Sequence, residues 1–220
     1  MSNLVFDGSL PAKRTICFPN LKILTMKRVT FSDDYSIQQL LSAPPLLEKL
    51  ELHNCSWGDL KAVTISAPKL QYLSIREYVS IREYERRRSS NGDVCEVMVI
   101  YGKELVPQMP MFNNLMDLEF IGMSIDIHCA TLLVLLQKFP CLKTLKFSEG
   151  IGAKSDGILN PVPPCFLSQL KCIKIDKYGG YDYELSAVKI LLDNAIVLDE
   201  IVITCVLQRT QSCKKSFINS

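Results

Sequence analysis

Two side chains whose types can cooperate in catalysis stand close together in the chain. His53 and Cys55 are two residues apart, and on an ideal strand, where successive side chains alternate, they would share one face. A histidine can then accept the proton of a thiol and leave a nucleophilic thiolate. Cys55 also occupies the ninth position of a repeated unit described below, where a small polar group satisfies backbone atoms inside a turn. That second role favours a structural interpretation of the pair.

Other arrangements of reactive residues are weaker. His128 and Cys129 open a helical segment, where a capping or core role is favoured over a metal site. The nine cysteines run from Cys17 to Cys213 without a CxxC pair, whereas structural zinc is held by four Cys or His ligands in close pairs. The motifs GxxxxGK(S/T), GxGxxG, GxSxG and HExxH are absent from the sequence. We expect no enzyme activity, no metal site and no cofactor.

Composition narrows the classes of partner. Of the 220 residues 48% are hydrophobic, and 25 basic residues face 23 acidic ones, for a net charge of +2. This balance gives no electrostatic argument for nucleic acid. The longest apolar run, from Ala130 to Leu136, is far shorter than the ~20 residues that a membrane-spanning helix needs. Without a secretory signal in the first twenty residues, we expect reduced, mostly buried thiols in a cytoplasmic or nuclear protein.

A charged segment between residues 76 and 88 contains three consecutive arginines, Arg86 to Arg88. Such a run suggests nuclear import or phosphate contact, but three glutamates interleave with it. The segment is therefore interpreted as a solvated loop between two repeats. Residues 208–220 are expected to form a frayed tail.

An internal repeat organises the chain. In each unit an apolar residue is followed by two free positions, a second apolar residue, one free position and a third. The units are Leu21-Leu24-Met26, Leu47-Leu50-Leu52, Leu70-Leu73-Ile75, Leu115-Leu118-Phe120, Leu142-Leu145-Phe147, Leu170-Ile173-Ile175 and Leu198-Ile201-Ile203. The first positions are 26, 23, 45, 27, 28 and 28 residues apart, and a weaker copy, Val94-Val97-Val99, lies inside the longest interval. With that copy the sequence predicts eight units.

Each unit combines a short strand with a return segment. Residues 49–53 alternate polar and apolar side chains, which is the period of a half-buried strand. The returns at residues 33–41, 129–138 and 185–192 have helical patterns, whereas residues 60–65 alternate and predict an extended return. A strand plus return of 20 to 29 residues is typical of a leucine-rich repeat. We therefore predict an α/β leucine-rich-repeat solenoid, with a curved parallel sheet on the concave side and irregular helical or extended returns.

Two segments resemble a known family. The stretch FPNLKILTMKRVTFSDDYSIQQLLSAPPLLEKLELHNCSW, from residue 18, resembles the repeat region of plant F-box proteins with leucine-rich repeats. The later stretch CFLSQLKCIKI, from residue 165, resembles the FBD domain that often ends those proteins, as do the residues that follow it: Gly179, Glu184, Val188, Lys189, Leu191, Leu192, Ala195 and Leu198. The resemblance covers about residues 10 to 207. It implies leucine-rich repeats over residues 1–160, with an incomplete first coil, and FBD-like repeats over residues 161–207.

The chain departs from the family pattern in two ways. The F-box, an N-terminal helical segment that docks the adaptor of a cullin–RING ubiquitin ligase, has no counterpart, and Met1-Leu4-Phe6 already follows the repeat spacing. We therefore expect a fragment or a truncated product. Only Cys55 provides the Asn or Cys that usually fills the ninth repeat position, whereas Val29, Tyr78 and Met123 hold it elsewhere. This predicts irregular coils.

The remaining candidate site is the concave face, which carries the side chains that alternate with the core positions. Candidate partner-binding residues are Lys27, Lys49, Glu51, His53, Tyr72, Ser74, Arg76, Asp117, Glu119, Lys146 and Lys174. The cations among the first strands suit an acidic or phosphorylated partner, with Tyr72 as an aromatic anchor. The alternative is that mixed charges simply keep the sheet soluble.

The resemblance implies a protein-recognition module that corresponds to the substrate-binding region of an F-box subunit of a cullin–RING ubiquitin ligase. One alternative is an F-box-less interaction or decoy protein. Another is a small-molecule receptor, which is disfavoured because eight coils form a shallow arc without a polar and aromatic pocket. We expect a protein partner of unknown identity, no nucleic acid and no membrane. The ligase adaptor is a partner only if an F-box lies upstream.

Overall fold

The computed structural model describes residues 2–8, 18–30, 44–55, 67–76, 111–121, 124–153, 157–206 and 214–217. Nine strands of this part form one sheet: β1 (Ser2–Asp7), β2 (Leu21–Lys27), β3 (Lys49–His53), β4 (Tyr72–Arg76), β5 (Asp117–Ile121), β7 (Thr144–Phe147), β9 (Cys172–Tyr178), β10 (Glu200–Cys205) and β11 (Lys214–Phe217). Two short strands, β6 (Ile125–Asp126) and β8 (Ile151–Gly152), pair with each other. Three helices complete the described elements: α1 (Ala130–Leu136), α2 (Pro164–Ser168) and α3 (Asp182–Asn194).

The large sheet follows chain order, β1-β2-β3-β4-β5-β7-β9-β10-β11. Every neighbouring pair is parallel except β10 and β11. The repeated apolar positions lie opposite one another across the strands. The first such row is Leu24, Leu50, Leu73, Leu118, Leu145, Ile173 and Ile201, and all seven are buried. The predicted α/β leucine-rich-repeat fold is confirmed.

No strand separates the two repeats that flank the 45-residue interval. β4 pairs directly with β5, with Leu73 opposite Leu118, so the weak copy Val94-Val97-Val99 supplies no strand between them. The prediction of an eighth unit there is wrong, because three apolar residues at the right spacing are not sufficient to insert a strand between two neighbours that already match in register. Residues 94–99 themselves lie outside the described part.

The turn that follows a repeat strand sends the ninth repeat position into the core. Asn54 follows β3 and lies in the left-handed region, with φ of 52°, and its N–H donates to the carbonyl of Arg76 at 2.7 Å. An asparagine tolerates this backbone conformation better than most residues. The next residue, Cys55, is therefore buried, and its Sγ lies 3.5 Å from the Met26 carbonyl oxygen in the preceding coil.

Two predicted helical returns are present in the described part. The return at 129–138 contains α1, whose Leu132, Leu135 and Leu136 are buried. The return at 185–192 lies within the longer helix α3, which buries Val188 and Leu191. The predicted returns at 33–41 and 60–65, and most of the charged segment at 76–88, lie outside the described residues.

Close contacts join β9 to α3 and explain several residues of the FBD resemblance. The buried Glu184 carboxylate accepts hydrogen bonds from the backbone N–H of Gly179, at 2.9 Å, and of Tyr181, at 3.0 Å. These bonds satisfy donors at the start of the helix. A Cβ at residue 179 would lie 2.6 Å from a ring carbon of Tyr181, so glycine fits where the loop passes beneath that ring.

Two further observations modify the sequence expectations. Lys214–Phe217 pairs antiparallel with β10 as β11, which corrects the expectation of a frayed tail for these four residues. Cys129 is disulfide-bonded, which corrects the expectation of reduced thiols for that residue, whereas Cys55, Cys141, Cys165, Cys172 and Cys205 form no disulfide. No helix in the described ranges is both long and apolar enough to cross a membrane.

Candidate functional site

The concave face of the sheet carries three rows of side chains that do not point into the core. The row that precedes the first core position contains Lys49, Tyr72, Asp117 and Thr144. The middle row, between the two core positions, contains Thr25, Glu51, Ser74, Glu119, Lys146 and Lys174. The last row begins with Lys27, His53 and Arg76. Strand register alone therefore brings residues that are up to about 150 positions apart in the chain onto one surface.

Glu119 is the centre of a polar network in the middle of this face. The Tyr72 hydroxyl donates to its Oε2 at 2.6 Å, and the Ser148 hydroxyl donates to its Oε1 at 2.8 Å. Lys146 Nζ lies 3.2 Å from the same Oε1 and 3.2 Å from Asp176 Oδ2. This chain of contacts spans β4, β5, β7 and β9.

The network changes the titration of its members. Burial alone would raise the pKa of Glu119, but hydrogen bonds from Tyr72, Ser148 and Lys146 outweigh it and hold that pKa below its usual value. The pKa of Tyr72 is raised, because burial and the hydrogen bond to Glu119 both oppose the phenolate. Two charged groups and two hydroxyls are thus fixed in one protonation state near neutral pH.

A second cluster lies on β2, β3 and β4. Lys49 Nζ forms an ion pair with Glu51 Oε1 at 2.8 Å and lies 4.5 Å from the centre of the Tyr72 ring. The Thr25 hydroxyl donates to the other oxygen of Glu51 at 2.9 Å. Burial opposes the Glu51 carboxylate, but the bonds from Lys49 and Thr25 and the nearby positive charges lower its pKa. Lys49, one of the cations that the sequence assigns to the first strands of the concave face, is therefore paired with Glu51 and lies over the Tyr72 ring.

Ser74 lies beneath this surface. It is only 1% exposed, because its short side chain stands between the longer Glu51 and Glu119 on the neighbouring strands. Alternation correctly assigns Ser74 to the concave face, but a partner cannot reach it there. We therefore remove it from the candidate contact residues.

The last row is the most cationic part of the face. Lys27, His53 and Arg76 are Cα partners on β2, β3 and β4, and all three are half-buried. Burial lowers the pKa of His53, and the charge of Arg76 lowers it further; Glu51 opposes this effect, while Lys27 and Lys49 add to it. The predicted basic patch therefore consists of this row without Lys49.

The remaining candidates lie on β5 and β9. Asp117 begins β5, and Lys174 is exposed on β9. Neither residue forms an ion pair with any described residue. Ser148, which the sequence reasoning missed, follows the second core residue of its repeat as Lys27, His53 and Arg76 do. Ser148 would have been identified if the position after the second core residue, which forms the last row, had been read in every repeat.

The geometry does not support a catalytic pair at His53 and Cys55. β3 ends at His53, and the left-handed turn at Asn54 carries Cys55 into the interior, where its Sγ contacts carbonyl oxygens. The imidazole lies on the concave face and the thiol on the opposite side of the backbone. Within the described part, no three His, Cys, Asp or Glu side chains are placed to hold a metal ion.

Comparison with known proteins adds independent information. Residues 160–203 match the FBD family model, and residues 2–86 match the model described as "FBD-associated F-box protein At5g56370, LRR repeats". No F-box match falls within the chain. No solved structure matches.

Several curated relatives come from Arabidopsis thaliana. The FBD-associated F-box protein At4g13985 is 22% identical over 90% of this chain, and the F-box/FBD/LRR-repeat protein At1g78750 is 24% identical over 91%. The FBD-associated F-box protein At5g38590 is 38% identical over 27% of the chain. The chain spans 58% and 59% of the length of the first two relatives.

Proposed function

Because this chain belongs to the plant F-box/FBD/LRR-repeat family, we propose that it recognises a protein partner through the concave face of its repeat sheet. In this role it corresponds to the substrate-binding region of an F-box subunit of a cullin–RING ubiquitin ligase. The printed name of the relative At1g78750 combines the F-box with the FBD and leucine-rich-repeat regions, and the last two regions are the ones matched here.

The observation that carries the proposal is the continuous, in-register polar face. From β2 to β10 the sheet crosses six strand spacings, which makes the face roughly 29 Å wide at about 4.8 Å per strand. Its long side chains are held by one another, as in the bonds of Glu119 to Tyr72 and Ser148. Side chains that are already ordered lose little conformational freedom when a partner binds.

A matched pair of lysines tests whether the concave face makes the contact. Lys174 is exposed on the concave side of β9, and Lys189 is exposed on α3, which is part of the return. We expect Lys174→Glu to weaken partner capture and Lys189→Glu to leave it unchanged. Both variants should unfold within about 0.5 kcal/mol of the parent, because neither lysine supports the core. Equal loss of capture in both variants would contradict a concave binding site.

A second experiment tests the connection to the ligase. The chain alone should not retain the cullin–RING adaptor, whereas the chain fused behind the F-box of the relative At4g13985 should retain it. The fusion should lower the cellular level of a captured partner, and the unfused chain should not, which also separates ligase recruitment from simple partner binding. Adaptor retained by the unfused chain, or a partner unaffected by the fusion, would count against the ligase role.

A further inference from the structure

We infer that two copies of this chain associate through the outer faces of their α3 helices, which lie antiparallel so that Leu185 of each copy packs on Leu192 of the other. The inference goes beyond the proposed partner recognition, because α3 belongs to a return segment and the concave face stays open in such a dimer. The interface lies within residues 157–206, the longest part of the chain that the structure describes without a gap.

The outer face of α3 carries large apolar side chains where a helix at a protein surface usually carries polar ones. Leu185 and Leu192 are 45% and 40% exposed. They are seven residues apart, so they lie only about 20° from each other around the helix axis. The inward face is separate from them, since it buries Val188 and Leu191. Leu185 and Leu192 therefore form an apolar stripe that the core of the solenoid does not use.

Two more exposed apolar side chains flank this stripe at the ends of the helix. Tyr181 directly precedes α3 and is 54% exposed, and Ile196 follows the helix by two residues and is 70% exposed. The Tyr181 ring stacks on the Tyr183 ring, with 5.5 Å between their centres. A stacked ring that is already ordered loses little conformational freedom in an interface. Apolar side chains grouped in this way mark an interaction surface.

The spacing of the four residues identifies a second copy of the chain as the partner. From Tyr181 to Leu185, Leu192 and Ile196 the intervals are four, seven and four residues, so the order is the same in both directions. A two-fold axis between positions 188 and 189 of antiparallel helices places Leu185 opposite Leu192 and Tyr181 opposite Ile196, each twice. An isologous dimer requires such a self-complementary surface. A shallow crossing of about 20° keeps both leucine pairs in contact.

The charged residues of the outer face are compatible with the same axis. Asp182, Lys189 and Asp193 are exposed, and helical spacing places all three on one side of the stripe. The axis brings the two lysines together near the centre, with the four aspartates on either side of them. Lys189 of one copy lies about 7.5 Å along the helix axis from Asp193 of the other, which two extended side chains can span.

The size of this interface sets the expected affinity. Four apolar side chains from each copy cover less area than a stable complex needs, so we expect a weak dimer, with a Kd between about 1 µM and 1 mM. Sedimentation equilibrium of the whole chain, with its accessible thiols blocked, measures this constant. The average mass should rise toward that of a dimer as the concentration approaches about 1 mM. A chain that remains monomeric there would overturn the inference.

Substitutions on the stripe locate the interface. Leu185→Glu and Leu192→Glu should each raise the Kd by about tenfold or more, because they bring a carboxylate into an apolar contact. Both variants should melt within about 2 °C of the parent, since the two leucines are exposed. Val5→Glu is the control, because Val5 is 50% exposed on β1, at the opposite end of the sheet. A dimer that survives both leucine variants, or that Val5→Glu weakens equally, would contradict the proposed interface.

Charge reversal separates the dimer from partner recognition. Lys189→Glu adds two carboxylates to the four aspartates around the axis, so it should raise the Kd of the dimer while leaving partner capture unchanged. Self-association that ignores Lys189→Glu would contradict the proposed position of the axis.

Cross-linking tests the antiparallel register. A short bis-maleimide should join the Leu185→Cys variant to the Leu192→Cys variant in a mixture more efficiently than it joins either variant to itself. The parent chain gives the background from the native cysteines. A parallel pair would instead place each residue opposite its own copy. Linking of Leu185→Cys to itself that equals linking in the mixture would therefore reject the antiparallel arrangement.

Discussion

At the scale of single residues, Glu119 shows how one carboxylate can organise a surface. It accepts hydrogen bonds from Tyr72 on one neighbouring strand and from Ser148 after the other, and it pairs with Lys146. The repeat pattern predicts that Glu119 faces outward. It does not predict these partners, because the partners depend on which strands become neighbours and on how long side chains bend across them.

Replacing Glu119 with glutamine tests this network. Because hydrogen bonds to a charged group stabilise more than neutral ones, we expect Glu119→Gln to lower the free energy of unfolding by about 1–2 kcal/mol at pH 7. The folded-state pKa of Glu119 is lowered, so its contribution is present above the unfolded value near 4.5 and is lost as pH falls through the folded value. Urea unfolding at pH 7 and pH 3 measures both.

Asp117→Asn provides the control for Glu119, because Asp117 lies on the same face of β5 and forms no ion pair with the described residues. It should change stability by less than about 0.5 kcal/mol. A deficit in Glu119→Gln that persists unchanged at pH 3 would mean that the loss does not come from the carboxylate.

A second prediction at this scale concerns His53, for which the fold favours the neutral form and not the charged one. Its folded-state pKa lies below the usual 6.5, so the unfolded chain takes up a proton at a higher pH than the folded protein does. The contribution of His53 is therefore complete above pH 6.5 and declines as pH falls below it. We expect His53→Gln to gain stability relative to the parent between pH 7.5 and pH 5.5 in urea unfolding. No relative gain would contradict the lowered pKa.

At the scale of elements, the start of α3 explains why a particular glycine and glutamate accompany the FBD segment. Gly179 leaves room for the Tyr181 ring, and Glu184 closes the loop through two backbone N–H groups. The family resemblance identifies these residues as shared but gives no reason for them. The reason appears only when the loop and the first turn of the helix are seen together.

The closure of that loop can be tested with two acidic residues of the same turn. Glu184 is buried and accepts both bonds, whereas Asp182 is exposed. We expect Glu184→Ala to lower the free energy of unfolding by about 2 kcal/mol, since it leaves backbone donors unsatisfied. Asp182→Ala should cost at most about 0.5 kcal/mol. Chemical denaturation followed by circular dichroism gives both values, and similar losses would reject a specific role for Glu184.

The elements also show where pattern reading succeeds. A segment of about five residues is enough to show the alternation of polar and apolar side chains that marks a strand. β3 therefore appears where residues 49–53 predict it. Burial on the outward face does not follow from alternation. Ser74 is covered by neighbours on other strands, and Lys49 is neutralised two residues along its own strand. Local periodicity therefore predicts the fold, whereas the chemistry of the concave face depends on contacts between strands, which periodicity does not predict.

At the scale of the whole molecule, each coil is stabilised mainly by its two neighbours. Leu50 is fully buried and stands in register between Leu24 and Leu73. We expect Leu50→Asp to cost several kcal/mol, because it buries an unpaired charge in the core shared by three coils. Thermal unfolding measures the loss, with the exposed turn variant Lys69→Asp as the control. A Leu50→Asp variant with the same melting temperature as the parent would refute the repeat register.

The direct pairing of β4 with β5 has a consequence for how this surface can diversify. β4 ends at Arg76, and β5, which begins at Asp117, is its direct neighbour. Strand pairing therefore holds both of these ends in place. Since the entropy of closing a flexible loop grows only with the logarithm of its length, doubling a loop between such fixed ends costs about 0.6 kcal/mol. Insertions and deletions between these two strands can therefore accumulate during evolution without disturbing the spacing of the strands that display the concave face.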